Sequence, residues 1–305
     1  MDKIAIIIVH YNTDEDTRET LKSLQDLRTG ELEVRTFVVD NASKEPFTLK
    51  KDDKNNKNIR IIRSDSNLGF TGGNNLGFAT ASKEFNPDYF LLLNSDTLIH
   101  PDFLVNLYNK LQQKPEWALA VPKIYFAKDC EFHRDSYRAD DRGRVLWYAG
   151  GSIDWDNLLT IHLGVDEVDR GQFDQAREVD FATGCCFLVR REILASIGDF
   201  DDRYFLYYED VDLCQRVIAH GHQIGYVPES IIWHKNGGST AGSGSDLQTF
   251  YQTRNRLQFF FTHGNLMVRQ RVIRLAIRLL THGSRVEKLG ARNFLLQKLG
   301  KQVAI

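Results

Sequence analysis

No stretch of these 305 residues approaches the roughly 18 consecutive apolar residues that cross a bilayer. The apolar run at residues 4–9, after Lys3, is also too short for the core of a secretion leader. It runs into His10-Tyr11-Asn12 with no small-residue cleavage site, so a soluble or peripheral protein is expected. Cysteine is scarce: Cys130, Cys185, Cys186 and Cys214 form no CxxC pair. This points to a reduced, cytosolic compartment rather than a disulfide framework. A basic excess is missing too. The formal net charge of −2 excludes a general nucleic-acid binder. GxGxxG and GKS/T are absent, which argues against a dinucleotide-binding turn and a phosphate-binding P-loop. No internal repeat is visible.

What is present reads as alternating strands and helices. Residues 4–9 are a β-branched run suited to a strand buried on both faces. Thr13 or Asp14 can cap a helix carrying Leu21, Leu24 and Leu27. Strands are expected at 33–39, 59–63 and 89–93. A Gly- and Asn-rich turn at 68–77 leads into a helix reaching Glu84, and Pro101 opens another through Leu111. Four strands alternating with helices predict right-handed crossovers and a parallel sheet. Residues 118–180 read as extra strands and a long loop facing an acceptor. A helix is expected at 209–220, closed by Gly221, and two short strands at 224–228 and 230–233. Residues 237–245 form a Gly/Ser-rich hinge, and the remainder reads as helical. The chain thus divides into a domain at 1–240 and a basic helical region at 241–305.

In open α/β sheets, ligands bind beyond the carboxyl ends of the strands. Three polar clusters fall at that edge. Asp40-Asn41-Ala42-Ser43 offers a carboxylate for a base or ribose, or a turn cap. The turn from Asn67 through Gly69, Gly72, Gly73 and Asn74 lets backbone approach a diphosphate at a helix start, or is a plain turn. Asn94-Ser95-Asp96 ends in an acid that can hold a divalent cation or cap a strand. Further on, Glu209, Asp210 and Asp212 follow the aromatic stretch 204–208. One of these acids can serve as a general base, although acids at a helix start are also favoured by its dipole. His234 follows a strand as a metal ligand, a phosphate contact or a structural histidine.

Taken together, Val9-His10-Tyr11-Asn12, Val39-Asp40-Asn41, Asn67-Leu68-Gly69-Phe70, Leu93-Asn94-Ser95-Asp96, Gly184, Tyr208-Glu209-Asp210, His234 with Gly238-Ser239, and Tyr251-Gln252-Thr253-Arg254-Asn255 resemble family 2 of the inverting glycosyltransferases. The resemblance covers residues 4–255 and is strongest to the rhamnosyltransferase-like branch. It implies a GT-A fold, α/β with a mostly parallel central sheet flanked by helices, here followed by a C-terminal helical extension. It assigns Asp210 as catalytic base, and Asp96 with His234 as ligands of Mn²⁺ or Mg²⁺. Asn94 stands where the family's metal motif often has its first acid. Donor contacts are implied for Tyr11, Asn12, Asp40, Asn67, Gly69, Gly73 and Asn74. Asn94, Ser95, Glu209 and Arg254 complete the implied donor set.

The implied reaction moves a sugar from a nucleoside diphosphate to a hydroxyl of a glycan or polyprenyl-linked acceptor. L-rhamnose from its dTDP donor is expected first, with UDP-hexoses or UDP-galactofuranose behind it. The rival from another class is a catalytically inactive glycan-binding scaffold, against which Asp96, Asp210 and His234 argue together. From Met267 onward stand nine lysines or arginines and one acid, Glu287, about +8. A helix over 266–282 would gather Val268, Val272, Leu275, Ala276 and Leu279 on one side, with Arg271, Arg274 and Arg278 opposite. Such a helix can lie on an anionic membrane, at the inner face of the cell membrane here, or pack on the domain.

Overall fold

The computed structural model describes residues 1–50, 58–235 and 244–302. The charged loop at 51–57 lies outside the described residues, as do Gly238 and Ser239, most of the expected hinge and the boundary at 240.

Strand β1 (Lys3–His10) is an interior strand of the sheet, and Ile4 to Ile8 are fully buried. Helix α1 (Asp14–Ser23) gives way to a 3₁₀ turn at Leu24–Asp26. Leu24 therefore packs from that turn and Leu27 from beyond it, where the spacing predicts one continuous helix. Next come β2 (Glu33–Asp40), β3 (Ile59–Arg63), α2 (Gly69–Glu84), β4 (Tyr89–Leu93), β5 (Thr97–Ile99) and α3 (Phe103–Gln113). The middle of the chain supplies β6 (Trp117–Phe126), β7 (Leu146–Tyr148), β8 (Gly151–Asp154), β9 (Leu159–His162) and β10 (Arg177–Glu178). Then follow β11 (Cys186–Arg190), α4 (Arg191–Ile197), α5 (Glu209–Ala219) and β12 (Gln223–His234). Three helices close the chain: α6 (Asp246–His263), α7 (Leu266–His282) and α8 (Arg285–Leu295).

The main sheet runs β10-β12-β6-β11-β4-β1-β2-β3, with β5 on β12 and β7 on β6. The expected parallel half is there: β1 pairs in parallel with β2 and β4, and β2 with β3. Beyond β4 the sheet becomes mixed, because β11 is antiparallel to both β4 and β6. The two short strands expected at 224–233 are one strand. β12 crosses a bulge between Val227 and Ile231 while its pairing to β6 resumes. Pro228, which has no N–H to donate, sits in that bulge. The continuation carries His234 into register with Thr97, beside Asp96.

Helix α2 starts at Gly69, earlier than the turn at 68–77 suggests, and lies close on β1. A Cβ at Gly77 would stand 2.4 Å from Ile7 Cγ2. Helix α7 buries Val268, Val272 and Ala276 against the protein. The apolar face that its sequence offers to a membrane is thus spent on internal packing, which corrects that version of the membrane reading.

Gly77→Ala tests the closeness of this packing. Alanine gains about 1 kcal/mol of helix propensity. Overpacking against a central strand costs roughly 1–3 kcal/mol or more and should dominate. A lowered urea midpoint is expected. An unchanged or raised midpoint would show that α2 can back away freely.

Candidate active site

The carboxyl ends of β1, β2 and β4 open onto a cavity of about 490 Å³. One wall is formed by Val9, Tyr11, Asn41, Asn67 and Gly69. Asn41 organises it. Its Nδ2 donates to Gly69 O at 2.9 Å and to Asn67 Oδ1 at 3.2 Å, and its Oδ1 accepts from Leu68 N. Gly69 combines a left-handed φ of +74° with a position where a Cβ would lie 2.3 Å from Phe205 O. Two first-turn amides of α2 are already engaged: Gly69 N donates to Asn67 Oδ1 and Thr71 N to Phe205 O.

Asp40 stands behind this wall rather than in it. It is fully buried, and its oxygens accept from Ser43 N and Phe47 N at 2.9 Å and from the Arg63 guanidinium. Burial would raise its pKa, but these donors outweigh burial and hold it below the usual carboxylate range. The turn-cap alternative is therefore what the geometry displays. Asn12 does not line the cavity either; it is exposed and braces the neighbouring turn. Its φ is +56°, its Oδ1 accepts from Lys44 N, and its N–H donates to Ser43 Oγ. Asn74 is buried and donates to Phe70 O, and Gly73 lets α2 approach Val9. Asp40, Gly73 and Asn74 support this wall from behind, and Asn12 braces the Ser43–Lys44 turn beside it.

Asn94, Ser95, Asp96 and His234 do line the cavity. His234 Nε2 lies 3.1 Å from Asp96 Oδ1, and both side chains are buried. Burial pushes Asp96 up, yet the neighbouring His234 and Lys235 prevail and keep it ionised. His234 Nδ1 is buried without a hydrogen-bond partner among the described residues. The Trp147 ring packs edge-on against the imidazole at 4.6 Å. Among the described residues no cluster of three or more His, Cys, Asp or Glu could enclose a metal ion. One carboxylate and one imidazole suit an ion whose other ligands come from substrate oxygens.

Opposite this pair, Glu209 and Asp210 open α5. Asp210 Oδ2 accepts from Gly184 N at 2.7 Å, and Oδ1 accepts from Val211 N. Glu209 is buried with Oε2 unpartnered among the described residues. Burial raises both acids, and the adjacent Asp210 charge raises Glu209 further. The amide donors favour ionisation at Asp210, so Glu209 is the member that keeps its proton. Asp212 turns the other way. Burial is outweighed by His263, at 2.8 Å, and by Arg216, which hold it ionised.

The loop before α5 explains how Asp210 reaches the cavity. Phe205, Tyr207 and Tyr208 all have left-handed φ, at 65°, 68° and 72°. Asn255 Nδ2 contacts the carbonyls of Tyr204, Leu206 and Tyr207 at 2.8–3.0 Å. Arg254, fully buried, donates to the carbonyls of Tyr204, Arg203 and Gly300. Arg254 therefore does not face the cavity. The position expected to touch the donor holds the loop instead, because it lies off the α6 face carrying Gln248, Gln252 and Asn255. Gln248 and Gln252 do line the cavity, and their i, i+4 spacing was the available signal. Trp147, Thr160, His162 and Phe181 form a second wall that no motif marked. Burial presses the His162 pKa down to about 4, so this wall is uncharged at neutral pH.

The sequence profile described as "Glycosyltransferase like family 2" matches residues 2–277. The chain is 26% identical over 258 residues to the low-salt glycan biosynthesis hexosyltransferase Agl10 of Haloferax volcanii, covering 84% of this chain and 75% of that one. It is 26% identical over 230 residues to rhamnosyltransferase WbbL of Escherichia coli, covering 74% and 80%. It is also 26% identical over 247 residues to N-acetylglucosaminyl-diphospho-decaprenol L-rhamnosyltransferase of Mycobacterium tuberculosis, covering 78% of each. Among solved structures, GalNAc-T7 with UDP, GalNAc and Mn²⁺ matches with a TM-score of 0.61 at 13% identity. That match covers 92% of this chain but only 58% of the other. Mannosyltransferase PcManGT from Pyrobaculum calidifontis, with GDP-Man and Mn²⁺, matches with a TM-score of 0.54 at 13% identity, covering 97% and 74%. At that identity the two structures show the fold, which is GT-A.

Asn255→Ala should strip buried carbonyls of their donor and destabilise the protein by roughly 2–4 kcal/mol, read by urea denaturation. Arg254→Ala should likewise lower stability. A variant at Arg254 that kept full stability and raised only the donor KM would restore the donor-contact role.

Proposed function

This chain belongs to the glycosyltransferase-like family 2, and from that membership we propose an inverting, metal-dependent sugar transfer from a nucleoside diphosphate to a glycan hydroxyl. The observation that carries the proposal is one cavity holding Asp210, with its two amide donors, and the Asp96–His234 pair.

In this reading Tyr11, Asn67 and Gly69 hold the nucleotide side of the donor, with Asn94, Ser95 and Glu209 beside the sugar and diphosphate. Asp210 takes the proton from the acceptor hydroxyl. That oxygen attacks the anomeric carbon from the face opposite the diphosphate, whose bond to the carbon breaks, so the configuration inverts. Holding both substrates in line supplies much of the rate. Asp96 and His234 would hold Mn²⁺ or Mg²⁺, which when bound neutralises charge developing on the leaving diphosphate. Residues 1–240 would form the catalytic domain and 241–305 its helical appendage.

L-rhamnose from dTDP-rhamnose is the first donor, supported by the names of the E. coli and M. tuberculosis relatives. The Haloferax hexosyltransferase keeps UDP-hexoses, with UDP-galactofuranose, as the second choice. The decaprenol in the mycobacterial name supports a lipid-linked acceptor, and with it peripheral work on the inner face of the membrane. No helix among the described residues is long and apolar enough to cross a membrane.

A donor-hydrolysis screen with Mn²⁺ or Mg²⁺ tests the reading. One nucleoside diphosphate should be released, and chelation with EDTA or Asp96→Ala should abolish the release. Asp210→Asn should slow it by roughly 10²–10⁴-fold. Undiminished turnover after chelation would sink the metal role, and wild-type rates in Asp210→Asn would sink the base.

The pH profile supplies a separate check. Burial raises Asp210 in the folded protein, and only its ionised form accepts the proton. Activity should therefore fall on acidification with a midpoint above the ordinary aspartate value of about 3.9.

A further inference from the structure

Helix α7 carries four arginines and no acid. Its inward face is occupied by Val268, Val272 and Ala276, yet a second apolar set points outward. Leu266 is 72% exposed, Met267 64%, Ile277 54% and Leu280 37%. At 100° per residue these four fall on one arc, with exposed Arg274 within it and exposed Arg278 at its edge. Packing the helix on the domain does not account for this arc, because that work is done by the opposite side.

The arc does not stand alone. Arg271 pairs with Asp156 in the turn between β8 and β9, and Arg256 donates to the carbonyls of Asn157 and Leu158. On β9, side chains alternate. Thr160 lines the cavity with His162, while Leu159 and Ile161 are exposed on the other side at 42% and 40%. The hairpin beside α7 thus presents aliphatic side chains outward and active-site side chains inward.

We propose that the outward arc of α7, with Leu159 and Ile161 beside it, docks on an anionic lipid bilayer. This rests on the reading of a lipid-linked acceptor. Aliphatic side chains flanked by arginines, with no acid in the helix, match an in-plane helix at a negatively charged interface. The arginine stems can lie along apolar surface while their heads reach lipid phosphates.

The test is co-sedimentation of the full chain with phosphatidylcholine vesicles, with and without phosphatidylglycerol. The wild type should bind the anionic vesicles, and added salt should weaken binding. Arg274→Glu with Arg278→Glu, and separately Met267→Asp with Ile277→Asp, should each weaken binding at least about tenfold. All four positions are exposed and outside the cavity, so donor hydrolysis in solution should stay at the wild-type rate. That readout separates failure of the docking face from failure of the transferase reading. A wild type that stays in the supernatant with anionic vesicles overturns the proposal, as do variants that bind like the wild type. Equal binding to neutral vesicles overturns its electrostatic part.

Discussion

The carboxamide of Asn255 under the loop at 204–208 is the contact on which the site depends. Left-handed backbone at a non-glycine residue costs on the order of 1–3 kcal/mol, and the loop holds three such residues within four positions. Such a run persists only where the surroundings over-determine it. Asn255 and Arg254 do so from one side. From the other, Gly69 leaves the space that Phe205 fills. The result is that a helix of the C-terminal region fixes both the entry to α5, where Asp210 sits, and the start of α2. The Asn67–Gly69 wall and Asp210 are set by the same loop.

Around that frame, the acids divide by what surrounds them. Asp40, Asp96 and Asp212 are all buried, yet each has donors or a cation in place and stays ionised. Glu209 and Asp210 are both raised by burial, but Asp210 has more backbone amides, those of Gly184 and Val211 among them, to help it lose a proton. Neighbouring acids pushed apart in this way can divide proton-holding from proton-accepting without any difference in chemical type.

The first four strands were legible because a parallel sheet with helices on both faces writes continuous apolar runs, as in β1 and β4. The meeting of Asp96 with His234, 138 residues apart, came through motif resemblance, since nothing local in either segment announces the other. Other features were illegible for physical reasons. Whether Asp40 faces a ligand or a turn depends on Phe47 and Arg63, whose positions follow from the tertiary fold. The wall of Trp147, Thr160 and His162 comes from strands of three or four residues, too short for a periodic signal. Helix α7 has apolar residues on more than one side, and its periodicity does not say which side turns inward.

The chain's last described residues are wired to the same loop. Gly300 N donates to Arg203 O, Gly300 O accepts from Arg254, Lys301 Nζ donates to Asn67 O, and Gln302 N donates to Tyr251 Oη. Residues 300–302 lie past residue 277, where the match to the family profile stops, while their partners lie within it. A substitution at residues 300–302 would therefore reach the entry to α5 without touching the cavity, by altering what braces the loop at 203–208.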